Sequence, residues 1–187
     1  MIKTVDEKER MDGTSREQGL FSPRYGPSGE VKLKISFVGD TETGAKTSFI
    51  DRYINDSFSE AHESSIGVSF NVEFVFVNGK KVKVVMWDIP RQDMYDSISS
   101  SYFRNVDGIV IGYDITNKGS FEAVKQRYAG LKERYPNAAV MVIGNKVDLE
   151  DKRQVSQEEG KMFASDLGSS LFFESKQNYN KLSYYCF

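Results

Sequence analysis

A chain of 187 residues, 39% hydrophobic and 28% charged, suits one soluble α/β domain with a well-buried core and leaves little for a second. A net charge of −2 and a pI near 5.6 exclude the basic excess that general nucleic-acid binding needs. No apolar stretch approaches the roughly 20 residues of a spanning helix, the N-terminus is charged rather than leader-like, and Cys186 has no second cysteine to pair with, so a cytoplasmic setting is expected.

Residues 1–30 carry Asp6-Glu7-Lys8-Glu9-Arg10 and then a Gly/Ser/Pro-rich stretch, a composition that buries too little apolar area to offset ordering entropy. They are expected to form a flexible arm, with the folded domain over 31–187. Strand-like runs follow at 31–38, 68–77, 82–87, 108–113, 140–144 and 171–173. Asn78-Gly79 joins the second and third as a tight hairpin. Helical spacing appears at 47–54, 97–103, 121–135 and 157–167. This alternation predicts an α/β fold: a mostly parallel six-stranded sheet with one antiparallel edge strand and helices on both faces. Ligands in such sheets bind beyond the carboxyl ends of the strands. Three groups of residues need little weight. The 13 Phe and 10 Tyr track strands and helix faces and read mostly as core, Lys32, Lys34, Lys80, Lys81 and Lys83 as solvated strand faces, and His62 as a solvated loop residue.

At the first carboxyl end lies Gly39-Asp40-Thr41-Glu42-Thr43-Gly44-Ala45-Lys46-Thr47, leading into Ser48. A turn between strand and helix lets successive backbone N–H groups converge on one anion, and the helix N-terminus adds its positive end. Lys46 would neutralise the outer phosphates, and the Thr47 hydroxyl would reach Mg²⁺. Gly39, Thr41, Gly44, Ala45, Lys46, Thr47 and Ser48 are the candidate phosphate contacts, with Ala45 breaking the usual G-x-x-x-x-G-K-[ST] spacing.

After the run 140–144 comes Asn145-Lys146-Val147-Asp148. A carboxylate at that strand end can accept from both the N1–H and the exocyclic amine of guanine, a donor pair that adenine lacks. Asp148 could therefore select the base, Asn145 tie neighbouring loops together, and the Lys146 stem cover the purine face. An ordinary polar loop would read the same way if the motif stood alone, but it follows a phosphate loop in the expected order.

From about residue 31 onward the chain resembles a small GTPase of the Ras superfamily, most closely the Rab branch. The resemblance rests on Asn145–Asp148, on Ser64-Ser65-Ile66-Gly67-Val68-Ser69-Phe70, and on Tyr102-Phe103-Arg104-Asn105-Val106-Asp107-Gly108 followed by Val110-Ile111-Gly112-Tyr113-Asp114-Ile115-Thr116. It implies GTP/GDP and Mg²⁺ as ligands, with Thr47, Ser65 and Asp88 around the metal. It places Phe58 against the guanine, Gln92 beside the attacking water with Lys46 as its catalytic partner, and Ser175 and Lys176 near the base. Effector and regulatory proteins are expected to bind through 58–70 and 88–103.

Three departures from that family pattern stand out. Asp88-Ile89-Pro90-Arg91-Gln92 replaces Asp-x-x-Gly-Gln, which takes the flexible glycine from the turn that meets the γ-phosphate and restricts Ile89 to extended conformations. Arg91 there reads either as a phosphate clamp or as an ordinary surface arginine. Glu42 brings a carboxylate close to the phosphates, a repulsive arrangement unless it turns to solvent. The base-contacting loop is shortened to Glu174-Ser175-Lys176, and the last helix to about two turns ending at Cys186-Phe187, with no C-a-a-X box; no direct membrane anchor is expected in the chain as given, and any membrane association would be peripheral, on endomembranes.

The expected activity is that of a guanine-nucleotide switch in vesicle traffic with slow intrinsic GTP hydrolysis. Two alternatives stay open: a Rab-shaped scaffold that has lost hydrolysis, and an ATP-using P-loop enzyme, against which Asn145–Asp148 argues.

Overall fold

The computed structural model describes residues 24–25, 29–39, 50, 69–89 and 102–175. Within them seven strands form one sheet: β1 (Arg24–Tyr25), β2 (Val31–Gly39), β3 (Ser69–Val77), β4 (Lys80–Asp88), β5 (Gly108–Asp114), β6 (Ala139–Asn145) and β7 (Leu171–Ser175). The six longer strands run in the order β3-β4-β2-β5-β6-β7, all parallel except β3, which lies antiparallel to β4 at the edge. That is the six-stranded sheet with one antiparallel edge read from the sequence. The two-residue β1, from within the segment expected to be an arm, pairs antiparallel with Val31 and Lys32.

The hairpin forms where expected. Asn78 and Gly79 adopt φ of 49° and 73°, the pair of positive values that a two-residue turn needs to match strand twist.

Period-two alternation decides which side of the sheet each residue joins. Ile109, Ile111 and Tyr113 of β5 point into one core with Val38, Val142 and Phe121, while Val110 points into the other with Phe37, Ile50, Val84, Met86 and Ile143. Apolar residues on both faces of the central strands are what a parallel sheet covered on both sides requires. The first core is roofed by α1 (Lys118–Tyr128), the short α2 (Leu131–Arg134) and α3 (Gln157–Asp166).

Helix boundaries differ from the sequence reading in one place. The stretch expected as one helix over 121–135 starts earlier, because Asn117 caps it by accepting from the Ser120 amide, and it breaks at Ala129–Gly130. For α3 the start is a full capping box, Ser156 and Glu159 each bonding the other's amide. Of the expected helices over 47–54 and 97–103, Ile50, Tyr102 and Phe103 are helical and the rest lies outside the described residues.

Most described aromatic residues join the core as expected, with two exceptions. Phe70 and Phe74 on β3 are exposed, 60% and 44%, since an edge strand has only one face against the core.

Candidate functional site

Five parallel strands deliver their carboxyl ends to one side of the sheet, and their registers set the candidate residues at successive levels there. Gly39 of β2 lies opposite Gly112 of β5, Asp114 opposite Asn145 of β6, and Asn145 opposite Ser175 of β7. Asp88 closes β4 level with Phe37, two places before Gly39, and is buried.

Gly39 is where β2 turns into the candidate phosphate loop. Its φ is +149°, and a Cβ there would sit 2.2 Å from the Gly112 carbonyl oxygen. Backbone packing thus demands glycine at this position independently of any phosphate.

At the other end the candidate base loop is built from buried polar groups. Asn145 is 2% exposed. Its Oδ1 accepts the hydroxyl of Ser175, and its carbonyl accepts from the Ile115 amide at 3.1 Å. Lys146 follows in a left-handed conformation, φ 69°, which turns the chain sharply out of the strand into the 3₁₀ segment Val147–Lys152. From there the Lys146 ammonium reaches back to Asp114 Oδ2 at 2.7 Å. Asp114 is itself 3% exposed, and its Oδ1 accepts from both the amide and the hydroxyl of Thr116 at 2.8 and 2.7 Å. A buried carboxylate with three donors is fully satisfied, so the Lys146 stem is held in one place at the strand ends. Asp148 stands exposed in the 3₁₀ segment beyond.

Of the candidate residues, the sheet edge brings together Gly39, Asp88, Asn145, Lys146, Asp148 and Ser175. Thr41, Gly44, Ala45, Lys46, Thr47, Ser48, Phe58, Ser65, Gln92 and Lys176 lie outside the described residues. Sequence reasoning missed Asp114 as a partner of Lys146. The signal was faint: a carboxylate ending an otherwise apolar strand run, one position before the turn. It also missed Arg153, which bonds Glu150 and Glu174, because nothing in the spacing marks a pair formed across 21 residues.

A model of the Ras family matches residues 34–183 of this chain. The chain belongs to the Ras family. Within it, Rab proteins are similar: human Ras-related protein Rab-3A is 41% identical over 153 residues, which cover 81% of this chain and 69% of that protein. GTP-binding protein Rab-3D of Rattus norvegicus is 41% identical over the same shares, and Ras-related protein Rab-3C of Bos taurus is 40% identical over 81% of this chain and 67% of its own length. This Rab-like member of the family has the sheet order and the strand-end loops described above. Among its described residues no helix is long and apolar enough to cross a membrane.

Proposed function

We propose that the chain is a guanine-nucleotide-binding switch of the Rab type, with Mg²⁺, slow in GTP hydrolysis and acting in vesicle traffic. The observation that carries the reading is the loop Asn145–Asp148, set at the carboxyl edge of the sheet and held by buried Asp114 and by Ser175. A loop fixed this firmly can present one carboxylate, Asp148, to the two donors of a guanine edge. The Lys146 stem, held by Asp114, would lie along the purine face.

The donors suit the remaining ligands. Asp88 offers hard carboxylate oxygen at the end of β4, and Thr47 and Ser65 would add hydroxyls, the ligand type that Mg²⁺ prefers. Bound there, the ion would offset charge on the phosphate oxygens. For hydrolysis, Gln92 would orient water for in-line attack on the γ-phosphate while Lys46 stabilises the charge that develops on it.

Slow hydrolysis is supported by the first residue of the altered turn. Ile89 is 0% exposed, packs in the main core, and donates its amide to the Phe37 carbonyl at 3.1 Å. An apolar anchor followed by Pro90 and Arg91, where the family pattern has a mobile glycine turn, opposes the rearrangement that would bring a backbone N–H to the γ-phosphate. The same observation favours a second reading, a Rab-shaped scaffold without hydrolysis.

Partner docking is supported by an aromatic patch that joins residues of both expected segments, Phe70 and Tyr102, through Trp87. Phe70 lies 5.5 Å from Trp87, and Trp87 lies 6.1 Å from Tyr102. Aromatic clusters of this kind, with Phe70 exposed and Trp87 and Tyr102 half-buried, supply the anchor residues of protein interfaces. Vesicle traffic and peripheral endomembrane association rest on the likeness to Rab-3 proteins.

Denaturing the purified protein and identifying the released nucleotide tests the reading. GDP supports the switch, GTP a hydrolysis-defective one, and an empty site the scaffold. Asp148→Asn should weaken guanine nucleotides and admit xanthine nucleotides; an unaltered base preference would remove Asp148 from the site.

A further inference from the structure

A ring of contacts closes around the loop that carries Asp148, and a residue outside the nucleotide motif completes it. The loop leaves β6 at Asn145, whose side chain accepts from Ser175. It ends at Arg153, whose guanidinium spans two carboxylates. Nε and Nη2 donate to Glu150 at 2.7 and 2.6 Å, and Nη1 and Nη2 donate to Glu174 at 2.7 and 3.0 Å. Nη1 also donates to the Val155 carbonyl at 3.0 Å. Glu174 and Ser175 are neighbours on β7, so both ends of the loop are tied to one strand end, with Asp148 between the ties.

The two arms of the clamp differ in weight. Glu174 is 11% exposed and Arg153 18%, while Glu150 is 60% exposed, so the Glu174 arm is shielded from water and the Glu150 arm is screened by it. Its hydrogen bonds to Glu150 and Glu174 hold the guanidinium firmly in its charged form, above its already high ordinary range. Lysine could not take this place, because one ammonium cannot meet two carboxylates through parallel pairs of N–H bonds.

We propose that Arg153 is a positioning residue for base selection: it locks the C-terminal end of the loop to β7 so that Asp148 meets both donors of the guanine edge at once. This rests on the guanine-nucleotide reading above. A loop freed at that end can still make one of the two hydrogen bonds by swinging toward the base, but not both. The sensitive quantity is therefore the preference for GDP over inosine diphosphate, whose base lacks the exocyclic amine and whose phosphates are the same.

Calorimetric titration of nucleotide-stripped protein with each diphosphate, together with thermal melts, makes the test. The wild type should prefer GDP, and Arg153→Gln should cut that preference by about tenfold, the scale of one hydrogen bond to a charged group. Arg153→Lys should fall nearly as far, and Glu174→Gln in the same direction, with the double variant Arg153→Gln/Glu174→Gln no worse than Arg153→Gln alone. Lys118→Gln, which breaks an ion pair between the starts of α1 and α3 and leaves the Arg153 contacts untouched, should leave the preference intact. A lowered melting temperature with the GDP preference unchanged would overturn the proposal, since it would make the clamp a prop of the fold only. If Arg153→Gln does not fold, Arg153→Lys and Glu174→Gln decide by the same criterion. A wild type without GDP preference sinks the guanine reading itself, whereas a wild-type preference kept by every variant sinks only the role of Arg153.

Discussion

Replacing Asp114 by Asn probes how the base loop is held. The carboxylate takes three hydrogen bonds, two from Thr116 and one from the Lys146 ammonium at 2.7 Å. Asparagine preserves one acceptor for Thr116, but at neutral strength, a loss of about 1 kcal/mol. Toward Lys146 it presents either an NH₂ group, donor against donor, or a carbonyl gained by giving up Thr116. Breaking a buried pair costs roughly 3–5 kcal/mol, but the Lys146 side chain is 26% exposed and can turn partly to water, so about 1–2 kcal/mol is the share expected here. The sum, about 2–3 kcal/mol, corresponds to a melting temperature lower by roughly 5–10 °C for a domain of this size. Nucleotide release should accelerate as well, by about tenfold, because the freed Lys146 stem no longer lies along the purine. Fluorescent GDP release by stopped flow and a thermal melt read both effects, and Lys146→Met completes a double-mutant cycle in which the two changes should be far from additive. A melting temperature within about 1 °C of wild type and an unchanged release rate would refute the argument that Asp114 holds the loop.

Gly39→Ala should abolish nucleotide retention and lower stability sharply, because its Cβ would strike the Gly112 carbonyl at 2.2 Å while the backbone keeps a φ of +149°; normal GDP content in the purified variant would contradict this. Tyr113→Phe should be neutral or stabilising by up to about 1 kcal/mol, since the Tyr113 hydroxyl is buried without a hydrogen-bond partner among the described residues; a clear loss of melting temperature would show a partner that the contacts omit. Glu159 has its pKa lowered to about 2 by the Lys118 hydrogen bond and then by the Ser156 amide. A depressed folded-state pKa adds stability above the usual carboxylate value of 4.5, lost as pH falls from there toward about 2. Glu159→Gln should therefore flatten the acid limb of the melting curve in that window; an unchanged slope would count against the pair.

What could be read from the chain alone follows the range of the interaction. Strands and the Asn78-Gly79 hairpin were legible because side-chain alternation and turn chemistry are local. The strand-end position of Asn145–Asp148 was legible too, since an apolar run leads directly into it. The break at Ala129–Gly130 was missed because apolar spacing carries on across it from Phe121 to Tyr135. The exposure of Phe70 and Phe74 was missed because composition does not tell an edge strand from a central one. Asp114–Lys146 and Arg153–Glu174 were out of reach for another reason: each joins residues brought close only by the parallel register of β5, β6 and β7.

The proposed base end of the site and the described start of the switch segment are built differently, which lets binding and switching be separated by mutation. The base end is made of strand termini in fixed register with buried, satisfied polar groups. The switch end begins at Ile89, which the core holds through a fully buried side chain and an amide bonded to Phe37. Next come Pro90, which removes a donor, and Arg91, which lacks glycine's freedom. Restoring the family pattern with Pro90→Ala/Arg91→Gly should therefore raise single-turnover phosphate release while leaving GDP affinity within about twofold, because no group of the base end is touched. The expected gain is between about tenfold and about a hundredfold, the rate penalty that a misplacement of ~1 Å carries. Making the same change beside Gln92→Leu should erase the gain, since Gln92 is the residue the turn would bring to the water. A double variant that releases phosphate at the wild-type rate, with GDP affinity intact, would mean that the altered turn does not limit hydrolysis and would point to Glu42 or Ala45 instead.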